Sequence, residues 1–171
     1  MRLTQLLSSL CEYFSERVFR EKCVPDDASY KLLPSDIAAF AKTMLPLALQ
    51  GLYSKNSTAV KQSCGALRYL SFLHIDTTLP PLVERVFSAL TSLTVVHQTA
   101  SALEALANVI FPILRAKDFA VECGVRHVPE LMNLTVSGID ANDLPKTWAT
   151  LRFFTVLLSG LPLVRVGDAP E

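Results

Sequence analysis

The chain of 171 residues is long enough for one domain with a substantial core. Sixteen Lys and Arg balance sixteen Asp and Glu, so no net field draws it to nucleic acid or to an anionic membrane. Half the residues are hydrophobic, only 19% are charged and the mean hydropathy is +0.34; so apolar a balance is expected of repeats whose end faces meet neighbouring repeats of the same chain.

Apolar spacing follows the helical period and nowhere alternates as a strand would. It predicts helices over about 2–22, 35–53, 57–74, 79–92, 95–116, 126–138 and 143–160, joined mostly by short loops. The first helix soon reaches Glu12, Glu16 and Arg17 without a small-residue cleavage site, which argues against a secretory signal and for a reducing compartment. Near its end, Arg17, Arg20 and Lys22 read as a solvated basic edge that complements the helix dipole, with a small anion contact as the functional alternative. Ser35-Asp36 can cap the second helix after Pro34, while Pro46 should kink or break it. Arg68-Tyr69 and Trp148 are residue types that anchor interfaces, although core packing is the simpler expectation for the aromatics.

Pro80 and Pro81 suit the first turn of the fourth helix, where no amide hydrogen is needed. The uncharged stretch from Val86 to Leu103 contains His97, Gln98 and several Ser and Thr residues, a poor membrane span. In the fifth helix Val96, Thr99, Ala100, Leu103, Leu106, Ala107, Ile110 and Leu114 form one core stripe, and Pro112 should disturb it. Asp140, Asn142 and Asp143 superficially resemble a calcium loop but lack its glycine and its bidentate glutamate, so capping before Leu144-Pro145 is the expected role.

One recurrence organises the helices. Pro46, Pro80 and Pro129 lie in or near the first helix of a pair, and Ala66, Ala102 and Ala149 follow them by 20, 22 and 20 positions on the second. The prolines are 34 and 49 residues apart, which brackets the period of HEAT and armadillo repeats, roughly 40–47 residues; the linker from Arg115 to Arg126 accounts for the longer interval. The predicted fold is therefore all-α: one HEAT/armadillo-like solenoid segment over 1–171, with helical pairs at about 35–74, 79–116 and 126–160 after a helix at 2–22. A closed helical bundle is the competing fold, but nothing in it requires the Pro-to-Ala spacing.

The chain contains no P-loop, dinucleotide glycine fingerprint, G-x-S-x-G elbow or H-E-x-x-H. Cys11, Cys23, Cys64 and Cys123 are 12, 41 and 59 positions apart and read as buried reduced thiols. His74, His97 and His127 have no acidic or thiol ligand at helical metal spacing, and His97 reads as a helix-terminal contact. No catalytic, cofactor-binding or metal residue is assigned, no cofactor is expected, and the residues describe a non-catalytic interaction scaffold.

The string Leu79-Pro80-Pro81-Leu82-Val83-Glu84-Arg85-Val86-Phe87-Ser88-Ala89-Leu90, followed by Thr91-Ser92-Leu93-Thr94 and His97-Gln98, resembles the large HEAT-repeat proteasome activators of the proteasome activator complex subunit 4 family. The likeness continues through Gly138-Ile139-Asp140-Ala141-Asn142-Asp143 and Phe153 to Leu161-Pro162-Leu163-Val164. It implies an internal segment, from the N-terminal half, of a giant chain coiled as a dome over the core proteasome. The resemblance implies degradation promoted without ATP or ubiquitin, acetylated histones as substrates, and a place in nucleus and cytoplasm. It also implies a hydrophobic-Tyr-any tail that docks on the proteasome α-ring, whereas this sequence ends Gly167-Asp168-Ala169-Pro170-Glu171. No position matches that tail, nor the acetyl-lysine or inositol-phosphate sites the resemblance implies, so no functional residue is carried over. The alternative is another helical-repeat scaffold, karyopherin-like or phosphatase-scaffold-like; a small helical enzyme would need a polar pocket of titratable groups that the sequence does not offer.

Overall fold

A computed structural model describes residues 2–23, 25, 30–91, 96–115 and 124–161. They form seven α-helices and, among the described residues, no strand: α1 (Arg2–Glu21), α2 (Pro34–Gly51), α3 (Ser57–Leu73), α4 (Ile75–Thr91), α5 (Val96–Arg115), α6 (Gly124–Val136) and α7 (Leu144–Gly160). The odd-numbered helices stack side by side in the order α1, α3, α5, α7, and α2, α4 and α6 form a second row against them. Packing runs between near neighbours in this ladder, with no substantial packing of α1 or α2 on α6 or α7 among the described residues. That openness separates a helical repeat from a closed bundle.

The proline recurrence maps onto the two rows. Pro46, Pro80 and Pro129 lie exposed inside α2, α4 and α6, whereas Ala66, Ala102 and Ala149 are buried on α3, α5 and α7. A proline on a solvent-facing position leaves the carbonyl four residues earlier for water to satisfy, so its cost is lowest there. A buried alanine lets a neighbouring helix approach closely. The helices are not broken at Pro46 or Pro112: α2 and α5 continue through both residues.

Several helix starts differ from the sequence reading. α4 begins at Ile75, not near 79, so Pro80 and Pro81 sit beyond its first turn. Its start is held by His74, whose Nδ1 lies 3.3 Å from the Thr77 amide and 2.9 Å from Thr77 Oγ1. Thr78 Oγ1 donates to the carbonyl of His74, at 2.9 Å. For α2, Ser35 is not the cap: Leu33 precedes the helix, Pro34 opens it, and Asp36 reaches back to accept from the Leu33 amide at 3.0 Å. Asn56 caps α3 by accepting from the Thr58 and Ala59 amides. Asp143 caps α7 through the Lys146 amide at 3.0 Å, while the Asn142 amide donates to Asp140 Oδ1 in the turn before it. α6 runs from Gly124 to Val136, two residues ahead of the predicted 126–138.

The core is aliphatic and runs through the whole ladder. Leu67 and Leu70 of α3, Leu82 and Val86 of α4, Leu103, Leu106 and Ile110 of α5, Leu131 of α6, and Phe153 and Leu157 of α7 are fully buried. α5 buries more than its predicted stripe, since Ala102, Ala105, Val109, Pro112 and Ile113 are also enclosed. Contact with α3, α4, α6 and α7 explains why a single apolar face is not enough for it. Buried Ser71 and Thr135 are satisfied by the carbonyls four residues earlier, and Thr99 donates from α5 to the Ala89 carbonyl of α4. The side chains of Val96, His97 and His127, together with Cys123, the linker residues 116–123 and the segment 162–171, lie outside the described residues.

α2 meets α3 at close range. A Cβ added at Gly51 would overlap Ser63 Oγ and come within 3.0 Å of Ser63 Cβ. Gly51→Ala is therefore expected to cost about 1–3 kcal/mol in urea denaturation through overpacking. Ser63 Oγ is buried and has no hydrogen-bond partner among the described residues, so Ser63→Ala alone should change stability by less than about 1 kcal/mol.

Candidate interaction surfaces

Among the described residues, those singled out in the sequence do not converge on one site. Among the described residues no group of three or more His, Cys, Asp and Glu side chains could hold a metal ion, and no helix is long and apolar enough to cross a membrane. The basic edge of α1 is largely paired with its own acids: Arg17 bonds Glu21 at 2.7 Å, Arg20 bonds Glu16 at 3.1 Å, and the Lys22 ammonium sits 4.6 Å from the Phe19 ring centroid. Arg17 also reaches the Tyr30 carbonyl, at 3.2 Å. Glu21 is mostly buried and accepts from the Leu32 amide at 2.8 Å, so the cluster fastens the segment after α1 to the helix end. That hydrogen bond, then the one from Arg17, holds the Glu21 carboxyl below its usual range against the opposing effect of burial.

Cys11 and Cys64 are buried, and burial pushes their thiols up to about 11 and about 12 respectively. Cys23 is exposed, which corrects the expectation for that residue: it lies beyond the end of α1, where no neighbouring helix covers it. Tyr69 is half-buried, and its hydroxyl donates to Glu12 at 2.9 Å, tying α3 to α1; burial, with that bond, raises its phenol. Arg68 is exposed beside Phe72.

Trp148 is 71% exposed, against the expectation of core packing. The capped first turn of α7 turns Ala149 and Thr150 inward, which leaves Trp148 facing outward. It borders a groove of about 590 Å³ that crosses α3, α5 and α7 near their N-terminal halves.

Two further apolar surfaces lie at the ends of the odd row. On α1, Leu7, Cys11 and Ser15 point into the core while Leu3, Leu6, Leu10 and Tyr13 remain exposed. Leu3, Leu6 and Leu10 join Met44 and Leu47 of α2 in a groove of about 430 Å³. On α7, Leu144, Trp148, Leu151 and Leu158 recur at steps of four, three and seven along one exposed stripe. Sequence reading missed these stripes as surfaces, because a helix apolar on two sides gives no sign of which side is covered. The visible signal was that α1 carries leucines at 3, 6 and 10 in addition to its inward set at 7 and 11.

The profile described as "Proteasome activator complex subunit 4, mid HEAT repeats region" matches residues 1–169. The chain belongs to the proteasome activator complex subunit 4 family. Among the family's curated members it is 27% identical to proteasome activator complex subunit 4B of zebrafish (Danio rerio), with 99% of this chain and 9% of the relative aligned. It is 28% identical to proteasome activator complex subunit 4 of Homo sapiens, over 95% of this chain and 9% of the relative. Identity to proteasome activator subunit 4 of Arabidopsis thaliana is also 28%, over 95% of this chain and 10% of that protein. The chain thus spans about a tenth of the length of the relatives it matches. The family name is that of a regulator of a protease, and the all-helical repeat described above is the architecture that its profile specifies.

Two measurements check these surfaces. In native protein Cys23 should react with iodoacetamide while Cys11 and Cys64 resist until the chain unfolds, as resolved by peptide mass spectrometry. Because Glu21 is depressed in the folded state, its contribution to stability is present above the ordinary glutamate range and disappears as pH falls through the folded value. Urea midpoints measured from about pH 6 to about pH 3 should therefore drop less steeply in Glu21→Gln than in the parent.

Proposed function

We propose that these helices are wall repeats of a long HEAT-repeat activator of the core proteasome, supplying shape and stiffness while other parts of such a protein supply docking. The reading is carried by one observation: a chain that matches about a tenth of each relative presents apolar stripes at both ends of its stacked row. Interior repeats of a solenoid need such faces, because each buries its apolar surface only against the next. The α1/α2 groove is suited to a preceding helical pair, and Leu144, Leu151 and Leu158 of α7 to a following one. Promotion of degradation without ATP or ubiquitin, contact with the proteasome α-ring, acetylated histones as substrates, and residence in nucleus and cytoplasm belong to this proposal as properties of the whole protein. A non-catalytic role for this segment belongs to it as well.

The test is a chimaera in which this chain replaces the matched segment of the human relative. The folded chimaera is expected to stimulate hydrolysis of a fluorogenic peptide by purified core proteasome without ATP, and the isolated 171-residue chain to give no stimulation. A well-folded chimaera that has lost stimulation, or an isolated chain that stimulates by itself, overturns the wall reading. In the chimaera, replacing Leu6 and Leu10 together by Asp should lower the melting temperature and folded yield, since it would bury two unpaired carboxylates. In the isolated chain the same change, on exposed positions, should move stability little.

A further inference from the structure

The groove across α3, α5 and α7 shares no lining residue with the α1/α2 end groove and has a different character. Ala100 and Ser101 of α5 contribute small side chains to its lining. Trp148 and Pro145 form one wall and the first turns of α3 the other. A large aromatic left exposed beside an apolar concavity is the usual form of an anchor site for a partner side chain.

The charge around it is one-sided. Lys55 and Lys61 border the groove, are exposed and enter no ion pair among the described residues. Glu104 is the single acidic residue of the lining, and the guanidinium of Arg152 is bonded to it. The uncompensated charge is therefore positive. Two lysines on a chain of zero net charge are far short of the basic stripe that nucleic acid requires. An opening of about 590 Å³ holds a few side chains of an extended segment and is too small to seat a folded domain.

We propose that this groove binds an acidic linear peptide that places an aromatic or branched aliphatic side chain against Trp148 and sets its carboxylates on Lys55 and Lys61. Trp148 borders both this groove and the α7 stripe; the test reads the groove's own residues and involves no proteasome.

Trp148 is the sole tryptophan of the chain, so its emission reports occupancy directly. The purified chain is titrated with two synthetic dodecapeptides that share a central Phe-Leu pair, one flanked by Asp and Glu and the other by Lys and Arg. The acidic peptide should give a saturable emission change and the basic one should bind at least about tenfold more weakly. Affinity for the acidic peptide should fall several-fold as NaCl rises from about 0.05 M to about 0.5 M. The double variant Lys55→Glu/Lys61→Glu should reverse the preference, whereas Lys42→Glu, an equally exposed lysine on α2 outside the groove, should leave it unchanged. Because all three lysines are exposed, the variants should melt with the parent. No saturable response, equal binding of both peptides, or an equal loss in Lys42→Glu and the groove variant would each overturn the proposal.

Discussion

Close approach of successive helices within one row is the constraint on which this structure depends. Ala66, Ala102 and Ala149 are buried on α3, α5 and α7, the helices that pack side by side in that row. Larger side chains there would push the row apart and uncover the leucines packed on either side. The second row tolerates more, and it is there that the recurring prolines sit, turned to solvent. The ladder is thus asymmetric: the recurring buried alanines lie in one row and the recurring exposed prolines in the other.

From that constraint follows the role of α5. It contacts helices of both rows, so the residues it buries between Ala102 and Ile113 are small, aliphatic or proline, while Glu104 and Asn108 are partly exposed and Phe111 is exposed. The terminal members α1 and α7 have a row neighbour on one side only, and each keeps a stripe of large apolar residues on the other. Such stripes cost solubility in an isolated unit and stabilise a stacked one. The matched profile is itself a region of HEAT repeats, an architecture in which stacked neighbours cover such stripes.

Polar interactions do local work in this framework. Glu21 with Arg17 and the Leu32 amide fastens the segment after α1, Tyr69 with Glu12 ties α3 back to α1, and Arg152 with Glu104 ties α7 to α5. The last of these also removes the negative charge from the groove beside Trp148, leaving Lys55 and Lys61 to set its sign. The arrangement offers shape and surface potential, and each buried titratable group has a structural part.

The sequence by itself determined the helices, their approximate limits and the repeat, because apolar periodicity and the Pro-to-Ala spacing are properties of the local chain and of its immediate partner. It also held the cap at Asp143, whose side chain acts within three residues of itself; Asn56, which the sequence reading passed over, caps α3 in the same local way. Only the tertiary structure decided where α4 starts, since the anchoring His74 sits between two helices and Thr78 bonds back to Leu70 of α3. Only it decided that Trp148 and Cys23 face solvent, and that the leucines at 3, 6 and 10 form a surface instead of a core. A helical period says which residues share a face; which neighbour covers that face depends on how the rows assemble, and no single helix carries that information.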